Sequence, residues 1–215
     1  MKPLTERYRP SAWREVIGQD KAVAICQRLI ERGIGGRAVW ISGASGTGKT
    51  TLAMLLAGEI ADPMNVDELD AGDLTVSRLK DIERSSSTYG MGAKSGKAYV
   101  VNEAHGLRRD AIRQLLVMLE RVPPHCLWVF TTTSDAQEQL FEDNEDAGPL
   151  LSRCLRVALS RQGLCKPFAM RLREIAGIES LDGQPIERYE TLVKRHSNNF
   201  RAALQDIEAG AMIGN

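Results

Sequence analysis

Excess charge of either sign is missing from this sequence. Lysine plus arginine number 28, aspartate plus glutamate also number 28, and the formal net charge is zero. Bulk electrostatics therefore cannot hold the chain on nucleic acid, and any such contact must come from a local basic patch. Long apolar runs are missing too. No stretch approaches the roughly 20 residues that cross a bilayer. The opening MKPLTERYRP has no apolar core of the secretory kind, so a cytoplasmic location is expected. Cysteine is scarce. Cys26, Cys126, Cys154 and Cys165 form no C-x-x-C pair and have no histidine at metal spacing. That excludes a zinc ribbon or a disulfide framework and predicts reduced, mostly buried thiols.

What is present is an ordinary globular composition. The 215 residues are 43% hydrophobic and 26% charged, enough for one sizeable core and a smaller appended unit. Residues 19–32 place Ala22, Cys26, Leu29 and Ile30 on one face of an amphipathic helix. A short buried strand follows over 37–42, then the glycine-rich GASGTGKT and an apolar helix, TLAMLLAGEI. A weaker strand is expected over 65–71, a helix at TVSRLKDIER, and a strand over 98–102. RRDAIRQLLVMLERV puts Ile112, Leu115, Leu116 and Leu119 on a helix face, and Pro123-Pro124 end it. Strands over 127–133 and 155–159 complete the series.

Strands and helices thus alternate from 37 to 160, which predicts a five-stranded parallel sheet covered by helices on both faces. After Ser160 the pattern is helical only, in KPFAMRLREIAG, QPIERYETLVKRH and NNFRAALQDIEAG. Pro167 and Pro185 fall in first turns, and Asn198 is placed as an N-cap. The expected division is an α/β domain over 1–160 and a small three-helix lid domain over 161–215.

Gly43, Ala44, Ser45, Gly46, Thr47, Gly48, Lys49 and Thr50 match G-x-x-x-x-G-K-[ST] in full, with a strand before and a helix, opening through Thr51, after. Such a loop curls so that several backbone N–H groups face phosphate oxygens at the positive end of the helix. Lys49 would reach the terminal phosphates of ATP, and the Thr50 hydroxyl would ligate Mg²⁺. One strand over, Val100-Val-Asn102-Glu103 carries the partner residues. In such sites a first carboxylate steadies Mg²⁺, often through water, and a second orients the attacking water. Glu103 keeps the second role. Asn102 offers an oxygen but no charge, which predicts weaker Mg²⁺ binding and slower hydrolysis.

The order of these motifs resembles AAA+ ATPases, specifically the clamp-loader group: replication factor C small subunits and the bacterial DNA polymerase III gamma/tau subunits. Arg7-Tyr-Arg9-Pro10 and Val16-Ile17-Gly-Gln19 resemble that group's N-terminal signature, which implies that Arg9 and Ile17 lie near adenine. Glu68-Leu-Asp70-Ala71 resembles its second-strand segment, and 102–105 its Asp-Glu-x-His box apart from the Asn. His105 is expected to be structural. Thr131-Thr-Thr133 falls at the group's sensor-1 strand, and the resemblance favours Thr133 among the three as the sensor. Leu151-Ser-Arg153-Cys154 resembles the Ser-Arg-Cys motif, which implies an arginine finger acting in trans on a neighbouring subunit's nucleotide. Asn199-Phe-Arg201 resembles the sensor-2 helix, with Arg201 touching the γ-phosphate in cis.

The resemblance also has departures. The chain ends at Asn215, before the group's collar domain would begin, and the zinc module of the bacterial subunits is missing after the P-loop helix. An acidic insertion over 135–149, with Glu142, Asp143, Glu145 and Asp146, precedes Arg153 and reads as a solvated loop, with contact to a basic partner as the alternative. By resemblance, Arg78, Lys80, Arg84, Arg108 and Arg109 would track DNA phosphates; as charged helix residues, they equally form a wet face. The expected function is ATP-dependent assembly on DNA, a sliding clamp or another replication or repair protein, within a homo- or hetero-oligomer. Two alternatives stay open: a non-hydrolysing ATP-binding subunit of a larger assembly, and a loader acting on something other than a sliding clamp.

Overall fold

A computed structural model describes residues 2–134, 136–137, 140 and 145–214. The chain divides into two compact units. One comprises Lys21–Gly43 and Lys49–Leu159, the other Met1–Asp20, Ala44–Gly48 and Ser160–Asn215.

The first unit is the α/β unit. Its strands are β1 (Arg37–Ser42), β2 (Val66–Asp70), β3 (Lys97–Asn102), β4 (Cys126–Thr132) and β5 (Leu155–Ala158), in a sheet of order β2-β3-β4-β1-β5. Every pairing is parallel. The central strands are buried along nearly their whole length, which is why their sequences read as continuous apolar runs rather than alternations.

Among the described residues, the short α1 (Leu4–Arg7) belongs to the other unit, and this one carries α2 (Asp20–Glu31, from Lys21 on), α3 (Lys49–Ile60), α4 (Val76–Ser85), α5 (Arg109–Leu119) and α6 (Ala147–Ser152). Strand parity sorts the two faces of the sheet. Trp40, Tyr99, Val101, Trp128 and Phe130 join Leu79 and Ile82 of α4 and Ile112 and Leu115 of α5 in one buried cluster. Its aromatic rings run across three strands: Tyr99 lies 4.7 Å from Trp128, Trp128 6.0 Å from Phe130, and Phe130 5.6 Å from Trp40, measured between ring centroids. Residues of the other parity, among them Val39, Val100 and Val129, belong to the opposite face. Helix α3 packs on β1, β3 and β4 through a helix whose Leu52, Ala53, Leu56 and Ala57 are all buried.

The second unit is helical. It holds α1 (Leu4–Arg7), α7 (Cys165–Ile178), α8 (Ile186–Arg195) and α9 (Phe200–Glu208). Phe168, Leu172, Ile175, Tyr189, Leu192, Val193, Leu204 and Ile207 build its core, and Leu4 from the N-terminus is buried among them. The first turn is held there by polar ties as well: the Leu4 amide donates to Glu208 Oε1 at 3.2 Å, and Arg7 pairs with Glu179 at 2.7 Å. The N-cap of α9 is Asn199, not the expected Asn198. The Asn199 side chain accepts from the Ala202 amide at 3.2 Å, while Asn198 sits in a left-handed conformation with φ of 60°. Asn198 is one residue too early for its oxygen to meet an unpaired amide of the first turn.

The thiols are free, and Cys26, Cys126 and Cys154 are buried, as expected; Cys165 is half-buried. Of the acidic insertion, Glu142 and Asp143 lie outside the described residues. No helix among the described residues is long and apolar enough to cross a membrane.

Candidate functional site

Of the glycine-rich loop, Ala44–Gly48 belongs to the helical unit, and Gly43 and the residues from Lys49 belong to the α/β unit. Gly46 and Gly48 have φ of 73° and 101°, a region L side chains avoid, and the loop needs both to curl. In the helical unit, Thr47 is buried and its hydroxyl donates to the Ala44 carbonyl at 2.7 Å. Asn199 fills the space over Gly46, where a Cβ would lie 1.9 Å from its Oδ1. Gln19, buried in the same unit, donates to the Ser160 carbonyl at 2.8 Å and accepts from the Ser160 amide at 3.0 Å. Neither polar brace, Asn199 nor Gln19, was assigned a role from the sequence. Ile17 is half-buried against the helical core, and Arg9 is exposed.

In the α/β unit, Lys49 opens α3 and is buried, followed by Thr50 and Thr51 on the first turn. Asn102 ends β3 with the parity of Val100, which aims it to the α3 face. Its Oδ1 accepts from Thr50 Oγ1 at 3.3 Å and from Thr131 Oγ1 at 3.0 Å, and its Nδ2 donates to Glu68 Oε1 at 2.7 Å. The two residues expected to share a magnesium ion, Thr50 and Asn102, thus lie within hydrogen-bond distance of one another. Two participants were not foreseen as such. Glu68 comes from β2, next to β3 in the sheet, and Thr131 from β4.

Thr133, expected as the sensor, lies just beyond β4, and its carbonyl accepts from the Gln137 amide at 3.0 Å. Strand alternation gives Thr131 and Thr133 the same parity, so the sequence alone could not choose between them.

Glu103 follows Asn102 directly. Its backbone is left-handed, with φ of 50° and ψ of 48°, a conformation that costs a non-glycine residue about 1 kcal/mol or more. The kink ends the strand and turns the Glu103 carboxylate out to solvent, half exposed, with Oε2 3.4 Å from His105 Nδ1. His105 Nδ1 is also 3.3 Å from Thr132 Oγ1. His105 thus touches both the strand end and the Glu103 turn.

Arg153 caps α6. Its guanidinium donates to the Pro149 carbonyl at 3.0 Å and to Glu120 Oε1 at 2.6 Å. The hydrogen bond from Arg153, and then its charge, hold the Glu120 carboxyl below the usual range. Arg201 is exposed on the first turn of α9.

Arg78, Lys80, Arg84, Arg108 and Arg109 are all exposed, on or beside α4 and α5, which pack together. They are not equally free. Arg84 pairs with Asp81 at 3.3 Å, and Arg109 faces Glu145 at 4.0 Å and Asp146 at 3.6 Å. Asp146 also takes Arg113 at 2.9 Å.

The donor set at Thr50 and Asn102 fits Mg²⁺. Both offer oxygen, and this ion keeps several waters and takes one or two protein ligands beside phosphates. Among the described residues, no three His, Cys, Asp or Glu side chains are grouped to hold a metal by themselves.

A parallel sheet, a glycine-rich loop opening a helix, and a polar strand end facing its first turn define a P-loop NTPase fold. The comparisons with known proteins agree. The TIP49 P-loop domain matches residues 5–87. The DNA polymerase III subunit gamma of Buchnera aphidicola is 29% identical over 236 residues, covering 99% of this chain and 62% of that protein. The DNA polymerase III subunit tau of Bacillus subtilis is 26% identical over 179 residues, covering 72% of this chain and 30% of that protein. The RuvB Holliday junction branch migration motor of Thermotoga maritima superposes with a TM-score of 0.70 at 19% identity, covering 94% of this chain and 64% of that one. The chain is thus similar to P-loop and clamp-loader proteins, and it spans less than two thirds of the length of each of these relatives.

Proposed function

We propose that the chain binds ATP with Mg²⁺ and hydrolyses it slowly, as a clamp-loader-like subunit that assembles on DNA or on a replication or repair protein. The observation that carries this reading is the hydrogen bond between Thr50 and Asn102, with Glu103 one residue further on. It joins the P-loop hydroxyl to the metal-side oxygen, and the general-base candidate Glu103 is the next residue along the chain. Lys49 and the loop amides hold the phosphates. Thr50 and Asn102 hold Mg²⁺, which would neutralise charge on the terminal phosphates. Glu103 orients water and takes its proton. The γ-phosphate is sensed by Thr133 and Arg201, Arg9 and Ile17 border the adenine, and Arg153 serves a neighbouring subunit's site.

Asn102 slows the chemistry more than it weakens binding, because most phosphate contacts come from the loop backbone and Lys49. The test is ATP turnover with Mg²⁺, with and without DNA. Glu103→Gln should lower turnover by about 10²-fold or more while leaving ATP affinity near native. Lys49→Ala should bind ATP at least about tenfold more weakly. A native chain that binds ATP but never turns it over, alone or with DNA, would establish the non-hydrolysing subunit instead.

A further inference from the structure

We infer that Glu68 is a positioning residue for the magnesium site, and that Glu68 and Asn102 together replace the single carboxylate such a site ordinarily carries. The inference rests on the nucleotide-site reading above and concerns how that site tolerates its asparagine.

An asparagine at this position faces a problem that an aspartate does not. Its amide has two ends, and only the oxygen suits a cation. If the NH₂ end faced Thr50, the site would present donors to Mg²⁺. The neighbouring hydroxyls of Thr50 and Thr131 cannot decide the matter, because a hydroxyl can donate or accept. Glu68 can. An ionised carboxylate only accepts, so its Oε1 at 2.7 Å requires the NH₂ end and leaves Oδ1 towards Thr50 and Thr131.

The geometry follows from the sheet. Glu68 pairs with Val100 in the β2–β3 register, so it shares the parity of Val100 and Asn102 and lies diagonal to Asn102 on the same face. The negative charge missing at 102 is thereby present one hydrogen bond further out, and it polarises the amide so that Oδ1 becomes a stronger acceptor. Glu68 is exposed, so the effect is partly screened by solvent.

A consequence runs against first intuition. Asn102→Asp should not simply repair the site, because it would set a second carboxylate at hydrogen-bond distance from Glu68, and like charges so close disfavour one another. The mutation should help only when Glu68 is neutralised too.

The test is equilibrium binding of a fluorescent ATP analogue to the full chain, titrated with Mg²⁺ and repeated in EDTA. Apo thermal unfolding serves as a control. Glu68→Gln should raise the half-saturating Mg²⁺ concentration about threefold to tenfold, the worth of one exposed charge-assisted hydrogen bond. Binding in EDTA should stay within twofold of native. In the Asn102→Asp background the sign should reverse, with Glu68→Gln lowering the Mg²⁺ requirement. An unchanged Mg²⁺ requirement in Glu68→Gln, or the same shift in both backgrounds, would overturn the inference while leaving the nucleotide site standing. Native protein that binds no nucleotide at all would bring down the site reading, and this inference with it.

Discussion

Arg153 donates to Glu120 Oε1 across 2.6 Å, so the residue proposed to act on a neighbouring subunit is already engaged within its own chain. Glu120 is exposed, so solvent screens the pair and it holds only weakly. Releasing it should therefore favour the outward-reaching state about 1.5-fold to fivefold. Glu120→Ala is expected to raise turnover by that factor at limiting protein concentration and to leave it unchanged where assembly is saturated. Arg153→Ala should abolish the concentration-dependent part, with a loss on the order of 10³ where a finger completes the site. The Glu120 carboxyl is held below its usual range, so the tie is intact at neutral pH and is lost only as pH falls through that lowered value. Native turnover that does not depend on protein concentration, or a concentration dependence that survives Arg153→Ala, would remove Arg153 from the trans role.

Gly46→Ala should damage more than the phosphate loop. Its Cβ would lie 1.9 Å from Asn199 Oδ1, the atom that caps α9. The added left-handed strain and the displaced cap together predict a loss of about 1–3 kcal/mol. Asn199→Ala alone should cost about 1 kcal/mol. The double variant should lose less than the sum, because the alanine at 199 makes room for the new methyl. Urea unfolding of the three variants measures this; strict additivity would show that Gly46 and Asn199 do not compete for space.

The sequence revealed what is contiguous and missed what the sheet brings together. The P-loop could be read because its eight residues are consecutive and sit between a strand and a helix. The apolar runs at 37–42, 98–102 and 127–133 match β1, β3 and β4 to within a residue, since a doubly covered parallel strand has no polar face to interrupt it. Strand order was not legible: the sequence reading sets Asn102 one strand over from the P-loop strand, whereas β4 lies between β1 and β3, and with that order went the neighbours of Asn102. Glu68 lies 34 residues away and Thr131 lies 29, and only the β2–β3–β4 adjacency makes them partners. The burial of Leu4 in the helical unit was invisible for the same reason, as its amide partner Glu208 is 204 residues away. The Asn198-Asn199 pair failed differently: both residue types suit a cap, and only the backbone angle at 198 decides between them.

Thiol reactivity should separate one cysteine from three. Burial pushes the Cys26 and Cys154 thiols up to about 12 and the Cys126 thiol up to about 11, so almost no thiolate forms at pH 8 and reagents cannot reach it. Cys165, half-buried at the start of α7, is the accessible one. Native protein should take up one equivalent of a thiol reagent promptly and the other three only on unfolding, with mass spectrometry placing the first label on Cys165. Prompt labelling of Cys26, at the buried face of α2, would contradict the packing described for that helix.

The basic face of α5 gives a last expectation. Arg109 and Arg113 both lean on Asp146, so the described end of the acidic insertion occupies side chains that could otherwise meet phosphate. If α5 tracks DNA, Asp146→Asn should release Arg113 and loosen Arg109, which still faces Glu145, and raise affinity by about twofold to fivefold, the worth of exposed ion pairs. Arg109→Ala should weaken binding and flatten the salt dependence by about 0.9 in the logarithmic slope, one phosphate contact on duplex DNA. Fluorescence anisotropy of a labelled duplex across a salt series reads both effects. Unchanged affinity and slope in the two variants would show that these arginines serve only to hold the insertion, and that the exposed cations of α4 and α5 are a solvated face.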